Sequence, residues 1–379
     1  MDRRTAFAAT MNHQEPERVL VDYGKHIGSF HVNAYKQIKA ALGIESKSRI
    51  LDRMAQNVIL DEEVCEKLGI DFRWVVPNWV GVRDVEIEGE PGYIDMWHTP
   101  HKWTDVGQYY AIHSSPFNQE KLTQAEIDDF DWPRPTPEMF TGLAEQARAW
   151  LEHTDYVVGA DGIKAGILQT AAQLRGYDKL FVDFALNPDI AHAFLDRISA
   201  AINDMYREYM KVVGPYAQVV TITDDQGTQN SLMVSPKMFR EFIKPRLKSL
   251  IDTIKSTANV KVLMHCDGAI MKIIPDLIEI GVDILNPIQT VVKDFDDTRA
   301  LKEKFGSQVC FHGGIDIQKV LRTATVDEVY AEVQRRLRDL GAGGGYIIAP
   351  CHNINVDIPV ENSLAMFDAA RKFGKYPLE

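Results

Sequence analysis

Short apolar runs typical of strands alternate along the chain with longer segments in which apolar positions recur with a helical period, and this pattern predicts an α/β fold. Eight short runs rich in Val, Ile, Leu and aromatic residues are bounded by turn-forming residues, which is typical of strands buried in a parallel sheet. We expect these strands near Val19–Tyr23, Phe72–Val76, Tyr156–Ala160, Gln218–Thr223, Lys261–His265, Asp283–Asn286, Gln308–His312 and Gly345–Ala349.

Segments with a helical period separate most of these strands, and several end at a glycine that can terminate a helix. Eight β/α units in one chain of 379 residues predict a (β/α)₈ TIM barrel that spans residues 1–379 as a single domain. An open, doubly wound sheet is the alternative. The Trp- and Pro-rich segment at about 79–134 is predicted to be an insertion near the barrel mouth. The helices are expected at Asn33–Leu42, Asp178–Met210 with a break at Asn187-Pro188, Pro236–Ser256, Ile270–Ile280, Asp297–Lys304 and Val326–Leu340.

Composition and charge narrow the class of protein. The chain is 45% hydrophobic and 25% charged, as in globular proteins. Forty-two basic and 54 acidic residues give a net charge of −12, so no overall positive field attracts nucleic acid or an anionic membrane. No apolar stretch has the length of a signal-peptide core or a membrane span, and the four cysteines are too sparse for a disulfide framework. We therefore expect a soluble, cytoplasmic protein with no nucleic-acid or membrane partner.

Metal-binding residue types follow two of the predicted strands. Side chains alternate along a strand, so His265 and Asp267 point the same way at the end of one strand. Cys351 follows Pro350 at the end of the last strand, which lies beside the first strand in a barrel. Zinc prefers nitrogen and sulfur ligands, and catalytic zinc uses three protein ligands. The pattern predicts zinc bound by His265, Cys351 and a carboxylate, either Asp267 or Asp225. The alternative is a hydrogen-bonded His–Asp pair with an inert, packed thiol, which is also the expected state of Cys65, Cys266 and Cys310.

Other polar residues at strand ends complete the predicted mouth. One member of the Asp224-Asp225 pair is expected to cap the next helix, and the other to bind metal or hold a proton. His312 precedes two glycines, which indicates backbone passing close to a ligand or a tight turn. We predict that Asp225 and His312 are catalytic. For His352 and Asn353, the alternative to a role at the substrate is that they orient their loop. Substrate contacts are expected from Asn286, Gln289, Tyr346 and His352.

Short motifs that match one known family occur in order along nearly the whole chain. They are Arg4–Phe7, His13–Arg18, Leu174–Gly176, Thr223–Gly227, Ser235–Arg240, Gly281–Gln289, Phe311–Asp316 and Pro359–Asn362. Together they resemble the uroporphyrinogen decarboxylase superfamily. This resemblance implies a (β/α)₈ barrel, in agreement with the strand count.

The loop after the first strand distinguishes the branches of that superfamily. True decarboxylases carry a Met-Arg-Gln-Ala-Gly-Arg loop there, and its guanidinium groups suit a substrate with many carboxylates. The corresponding stretch here, residues 22–30, contains no arginine. The corrinoid-dependent methyltransferases bind zinc through a His-x-Cys strand end and a Cys after the last strand. This chain keeps His265 and Cys351, with Asp267 in place of the second sulfur, so it resembles the corrinoid-dependent methyltransferase (O-demethylase) branch more closely.

That branch implies zinc-dependent transfer of a methyl group between a small methylated substrate and a corrinoid (cobalamin) protein, in either direction. A methoxylated aromatic substrate is the first expectation, because tryptophans at 74, 79, 97 and 103 could stack on it, although they suit plain packing equally well. One alternative is a metal-free, uroporphyrinogen decarboxylase-like lyase for a smaller carboxylic acid, in which Asp225 and His312 position the substrate and its proton. Another is a barrel that binds a ligand without chemistry. We also expect that the chain is able to form a homodimer.

Overall fold

The central sheet of the protein consists of eight parallel strands, seen in a computed structural model that describes residues 1–163 and 166–378. We number them β1 (Leu20–Val21), β2 (Phe72–Val75), β3 (Val157–Ala160), β4 (Val219–Thr223), β5 (Lys261–His265), β6 (Ile284–Ile288), β7 (Cys310–Ile315) and β8 (Tyr346–Pro350). The first strand pairs with the last, and from there the order runs back through β7, β6, β5, β4 and β3 to β2. The predicted (β/α)₈ barrel is confirmed.

Asp71 closes the barrel between β1 and β2. Its backbone N–H donates to the carbonyl of Val21 at 2.8 Å, and its carboxylate accepts the backbone N–H of Val21 at 2.8 Å. The carboxylate is fully buried and forms ion pairs with Arg3 and Arg18. A buried carboxylate without such partners is strongly disfavoured, so the two arginines allow this closure.

Helices surround the barrel. The predicted break before Pro188 is present, since one helix ends at Leu186 and the next begins at Pro188, where the missing proline N–H costs no hydrogen bond. Among the described residues, no helix is long and apolar enough to cross a membrane. The α-helices are Arg3–Met11, Val32–Leu42, Glu62–Leu68, Gln124–Asp129, Leu143–His153, Ile167–Arg175, Tyr177–Leu186, Pro188–Val213, Pro236–Met238, Lys244–Thr257, Ile274–Glu279, Thr298–Phe305, Val320–Thr323, Val326–Gly341 and Val360–Phe373, with a 3₁₀ turn at Pro137–Phe140 and a π turn at Phe239–Ile243.

An apolar layer fills the N-terminal end of the barrel. Inward-facing residues of all eight strands form one cluster with the first helix, which closes this end. Phe7 of that helix packs edge-on against Phe72, with ring centroids 5.8 Å apart. Because this end is closed and apolar, polar chemistry is confined to the C-terminal ends of the strands, where barrel active sites lie. The strand members of the cluster are Leu20, Phe72, Trp74, Val157, Val219, Leu263, Ile284, Cys310 and Ile347.

The connection from β2 to β3 contains the segment predicted as an insertion. It forms an antiparallel four-stranded sheet and then a short helix, Gln124–Asp129. A separate two-stranded sheet, Arg49–Asp52 with Asn57–Ile59, lies in the connection from β1 to β2. Both connections contribute residues to a cavity at the barrel mouth. The four strands are Arg83–Ile87, Glu90–Ile94, Pro100–Thr104 and Tyr109–Ile112.

Candidate active site at the barrel mouth

A cavity of about 240 Å³, here called the mouth cavity, lies at the C-terminal ends of the strands. One wall is apolar and comes from the two connections described above, with Leu51, Met54, Trp79, Val80, Met96 and Trp97 among its residues. The opposite side carries polar residues that follow the barrel strands: His26, Gln169, Asp225, His265, His352 and Asn353. The cavity therefore joins an apolar surface to a set of polar groups, which is typical of a small-molecule site.

Two residues on the polar side, His265 and His352, form a group that can hold a metal ion together with Asp267, which lines a smaller adjacent pocket. We call these three residues the metal cluster. One ligand atom from each lies within 4.8 Å of the others. Nε2 of His265 is 3.9 Å from Oδ2 of Asp267, close to the roughly 3.4 Å that separates two ligands of a tetrahedral zinc ion. Two imidazole nitrogens and a carboxylate oxygen form a common zinc donor set. The residues present therefore fit this metal.

Cys351 lies beside the metal cluster but is not one of the three grouped residues. Its buried thiol donates a hydrogen bond to the carbonyl of Ile288 at 3.2 Å. It lines a smaller pocket next to the cavity together with Asp267 and His352. Burial, assisted by Asp316, raises the pKa of Cys351 well above its usual value. Its role as a zinc ligand stays a prediction.

The adjacent aspartates after β4 have different surroundings. Asp224 accepts two backbone N–H groups from the first turn of helix Ile167–Arg175, at 3.0 and 3.2 Å, and burial raises its pKa to about 7. Asp225 lines the mouth cavity. Its carboxylate accepts the backbone N–H of Asp267 at 2.8 Å and the amide of Gln169 at 2.5 Å. Asp224 thus caps a helix, but this helix precedes β4 in the chain and is not the next one that was expected. Asp225 is the member of the pair that faces the site.

A continuous series of hydrogen-bonded, buried residues runs beneath the metal cluster and ends at His265, which belongs to both. We call this series the inner polar chain; it consists of Lys25, Asp22, His312, Asn286 and His265. Lys25 donates to Oδ2 of Asp22 at 2.5 Å, and the same oxygen lies 2.8 Å from Nε2 of His312. Asn286 lies between the two histidines, with its side chain 2.6 Å from Nδ1 of each. The predicted residues His312 and Asn286 therefore support His265 from below and do not line the mouth cavity.

The inner polar chain determines which nitrogen of His265 carries a proton. Burial alone would raise the pKa of Asp22, but Lys25 and His312 hold it well below its usual value. The ionised Asp22 only accepts hydrogen bonds, so His312 donates from Nε2 and accepts at Nδ1 from the amide of Asn286. The Asn286 carbonyl oxygen then accepts Nδ1–H of His265. Nε2 of His265 is left with a free lone pair, the form of histidine that binds metals.

The other residues predicted to bind substrate lie in three different places. His352 lines the mouth cavity and belongs to the metal cluster. Gln289 accepts the backbone N–H of Gly268 at 3.0 Å and lines the smaller pocket beside Cys351. Tyr346 is buried away from the cavity, and its hydroxyl donates to the carbonyl of Gly313 at 2.7 Å.

The structure also brings to the mouth polar residues that the sequence analysis does not identify. His26 lines the cavity, and its Nδ1 lies 2.6 Å from Oδ1 of Asp161. Lys25 is buried in the inner polar chain. All three residues follow the C-terminal end of a barrel strand, as the candidates named from the sequence do: His26 and Lys25 follow β1, and Asp161 follows β3. Position after a strand end is therefore the pattern that could have identified them.

Comparison with known proteins assigns the family. The family model described as uroporphyrinogen decarboxylase (URO-D) matches residues 110–373, more than half of the chain. The chain belongs to the URO-D family. Uroporphyrinogen decarboxylase of Hordeum vulgare is 24% identical over 217 residues, which cover 56% of this chain and 60% of the relative. The enzyme of Psychromonas ingrahamii is 21% identical over 278 residues, which cover 70% of this chain and 74% of the relative.

The solved structure of another protein has a similar fold over nearly the whole length of this URO-D family member. A methyltransferase from Methanosarcina mazei superposes with a TM-score of 0.66, covering 98% of this chain and 99% of the other at 16% identity. At that identity the likeness shows the shared barrel fold. The predicted membership of the superfamily is confirmed.

The charges around the mouth cavity are unusual for a decarboxylase of uroporphyrinogen. Among the described residues that line it, none is lysine or arginine, whereas Asp52, Asp95 and Asp225 are present. Lys25 lies nearby, but its ammonium group is already paired with Asp22 at 2.5 Å. The described lining residues therefore supply no cationic side chain for a substrate with many carboxylates, whose burial without such partners is strongly disfavoured.

Proposed function

We propose that this URO-D family protein is a zinc-dependent methyltransferase that moves a methyl group between a small methylated substrate and a corrinoid held by a partner protein. The observation that carries this proposal is the metal cluster of His265, Asp267 and His352, two of whose members, His265 and His352, line a cavity with an apolar wall. A methyl donor of low charge needs both features. It needs a wall for its carbon skeleton and a polar site at the atom that releases the methyl group.

In this proposal His265 and Asp267 hold zinc, with His352 or Cys351 as the third protein ligand. Zinc supplies a Lewis acid that stabilises negative charge on the oxygen that loses the methyl group, or lowers the pKa of a thiol acceptor. The inner polar chain places the proton of the neutral His265 ring on Nδ1, so that Nε2 offers the lone pair to the metal. Asp225 accepts the backbone N–H of Asp267 at 2.8 Å and so fixes the loop that carries this carboxylate. Each Asp225 oxygen already accepts one hydrogen bond, and its second lone pair can accept a further one from a polar group of the substrate.

The apolar wall suggests the substrate class. Trp79 and Trp97 lie on it together with Met54, Met96 and Met139, and such side chains pack well against a flat ring. The cavity volume of about 240 Å³ is below the range of drug-sized sites, which favours a single substituted ring. We therefore keep a methoxylated aromatic compound as the proposed methyl donor.

Among the residues that the structure describes, no cysteine is suited to accept a methyl group. All four cysteines are buried, and burial raises the pKa of Cys65 and of Cys310 to about 12. A nucleophilic cysteine needs a lowered pKa instead. This supports our proposal that the acceptor comes from outside the barrel, where a reduced corrinoid on a partner protein would supply the nucleophile.

The test is an anaerobic assay with the purified protein, a reduced corrinoid protein and a series of methoxylated benzenes. Conversion of Co(I) to methyl-Co(III), followed by its absorbance, is expected only when both the chain and a methyl ether are present. His265→Ala should abolish the conversion, and His192→Ala is the matched control, since His192 stacks on Phe242 away from the cavity. Release of carbon dioxide from a small carboxylic acid without corrinoid would overturn the proposal in favour of a lyase, the activity suggested by the names of the curated relatives.

A further inference from the structure

A second polar arrangement in the mouth cavity is separate from the metal cluster. Asp161, which follows β3, holds His26, which follows β1, by two contacts. Oδ1 of Asp161 lies 2.6 Å from Nδ1 of the His26 ring, and Oδ2 accepts the backbone N–H of His26 at 2.7 Å. The carboxylate is completely buried and also accepts the backbone N–H of Gly162 at 2.8 Å. The imidazole is therefore fixed in both position and orientation.

The remaining ring nitrogen of His26 is available to a ligand. Nδ1 is occupied by Asp161, and within the described part of the chain no hydrogen bond engages Nε2. The ring lines the mouth cavity. Gly162 makes room for it, because a Cβ atom there would come within 2.7 Å of Cε1 of His26. A carboxylate that orients a histidine whose other nitrogen faces a ligand cavity is a recurrent arrangement in acid–base catalysis.

We propose that His26, oriented by Asp161, is a catalytic acid–base residue that exchanges a proton with the oxygen from which the methyl group leaves. This inference rests on the proposed methyltransferase function and extends it. The C–O bond breaks and its electron pair stays on oxygen. The electron pair of the reduced corrinoid forms the new bond to carbon, so that cobalt is formally oxidised by two electrons. Nε2–H of His26 supplies the proton that converts the leaving oxygen into a hydroxyl group, and solvent reprotonates His26.

The charges near His26 suit this role. Burial would lower the pKa of His26, but Asp161 outweighs burial and the pKa is raised. Asp52 adds to the upward shift, and Lys25 opposes it. The imidazole therefore holds its proton at a higher pH than an isolated histidine and can deliver it inside the cavity.

The experiment compares aryl methyl ethers whose phenol products differ in pKa, from 4-nitroanisole to 4-methylanisole. If His26 protonates the leaving oxygen, His26→Gln should slow the poorest leaving groups roughly 10²- to 10⁴-fold and 4-nitroanisole far less. Asp161→Asn should show the same trend with a smaller loss, whereas His192→Gln should leave all rates unchanged. An equal loss for every ether would overturn the proposal and reduce the pair to a structural role.

A binding measurement tests the same contact without turnover. Calorimetry compares phenol with toluene, which differ in a hydroxyl and a methyl group. Wild-type protein should prefer phenol, and His26→Phe should lose roughly 5- to 10-fold of that preference, the worth of one hydrogen bond. An unchanged preference would overturn the role of His26. If instead wild-type protein transferred no methyl group from any ether while this binding difference held, the failure would lie with the proposed methyltransferase function.

Discussion

Replacing Asn286 by leucine tests whether the inner polar chain prepares His265 for a metal. Asn286 lies 2.6 Å from Nδ1 of His265 and 2.6 Å from Nδ1 of His312, and it is buried. Leucine has nearly the same size but neither donates nor accepts a hydrogen bond. The substitution therefore removes both links while the volume is kept, and His265 can then carry its proton on Nε2.

Two effects of different size follow from the lost links. Each unpaired buried nitrogen costs about 1–3 kcal/mol of folding stability, so Asn286→Leu should lose about 2–6 kcal/mol in the metal-free protein. Loss of the partner that orients a metal-bound histidine typically weakens metal binding about 10- to 100-fold. The matched control is Asn203→Leu. Asn203 is also buried and donates to Ser249 at 2.9 Å, but it lies on helix Pro188–Val213 outside the barrel.

The assay combines urea denaturation of metal-free protein with zinc affinity measured by competition against a chromogenic chelator. Both variants should lose stability, and only Asn286→Leu should lose zinc affinity. If Asn286→Leu bound zinc within twofold of wild type, or if Asn203→Leu lost as much affinity, the role assigned to the inner polar chain would be wrong.

Three further predictions follow. Burial and Lys25 lower the pKa of His312 to about 4 from 6.5, so the unfolded chain binds more protons between these values and stability falls as the pH drops through this window. Urea unfolding at pH 7.5 and at pH 5.0 should show that wild type loses about 2 kcal/mol relative to His312→Gln over this range, because other groups, such as Asp224 with its pKa raised to about 7, titrate alike in both proteins. Uroporphyrinogen should not be converted to coproporphyrinogen, because the described cavity lining carries no lysine or arginine; chromatographic detection of this product would contradict the account. Removing the third zinc ligand should lower the zinc content of the purified protein. Elemental analysis of His352→Ala and Cys351→Ala should therefore show which residue is that ligand, and an unchanged zinc content in both variants would exclude both.

The fold could be predicted because strands buried in a parallel barrel are continuous apolar runs. The prediction for Lys261–His265 agrees with β5 at both ends. The strand β7 continues to Ile315, beyond its predicted end at His312, where the two glycines indicate either backbone passing close to a ligand or a tight turn. Gly313 and Gly314 have φ values of 103° and 91°, a conformation that glycine adopts without strain, so here the pair extends the strand.

A site residue could be predicted only where its partner lies on the same strand or just beyond that strand's end. Strand alternation places His265 and Asp267 on one face, and both belong to the metal cluster. His352 lies two residues beyond the end of β8, as Asp267 does beyond β5, but β8 itself carries no metal-binding side chain that would indicate a ligand pair. The contacts of the inner polar chain join residues that are far apart in sequence, since Asp22 and His312 are separated by 290 positions. No local pattern reports such a pairing.

The central claim is that the metal cluster makes methyl transfer possible, and one titration tests it most directly. The protein is stripped of metal with a chelator, mixed with reduced corrinoid protein and a methoxylated benzene, and supplied with increasing zinc while methyl-Co(III) is followed by absorbance. We expect no methyl transfer without zinc, a rise in methyl-Co(III) that saturates at about one zinc ion per chain, and no recovery of transfer in His265→Ala. Full transfer by the metal-free protein would contradict this claim.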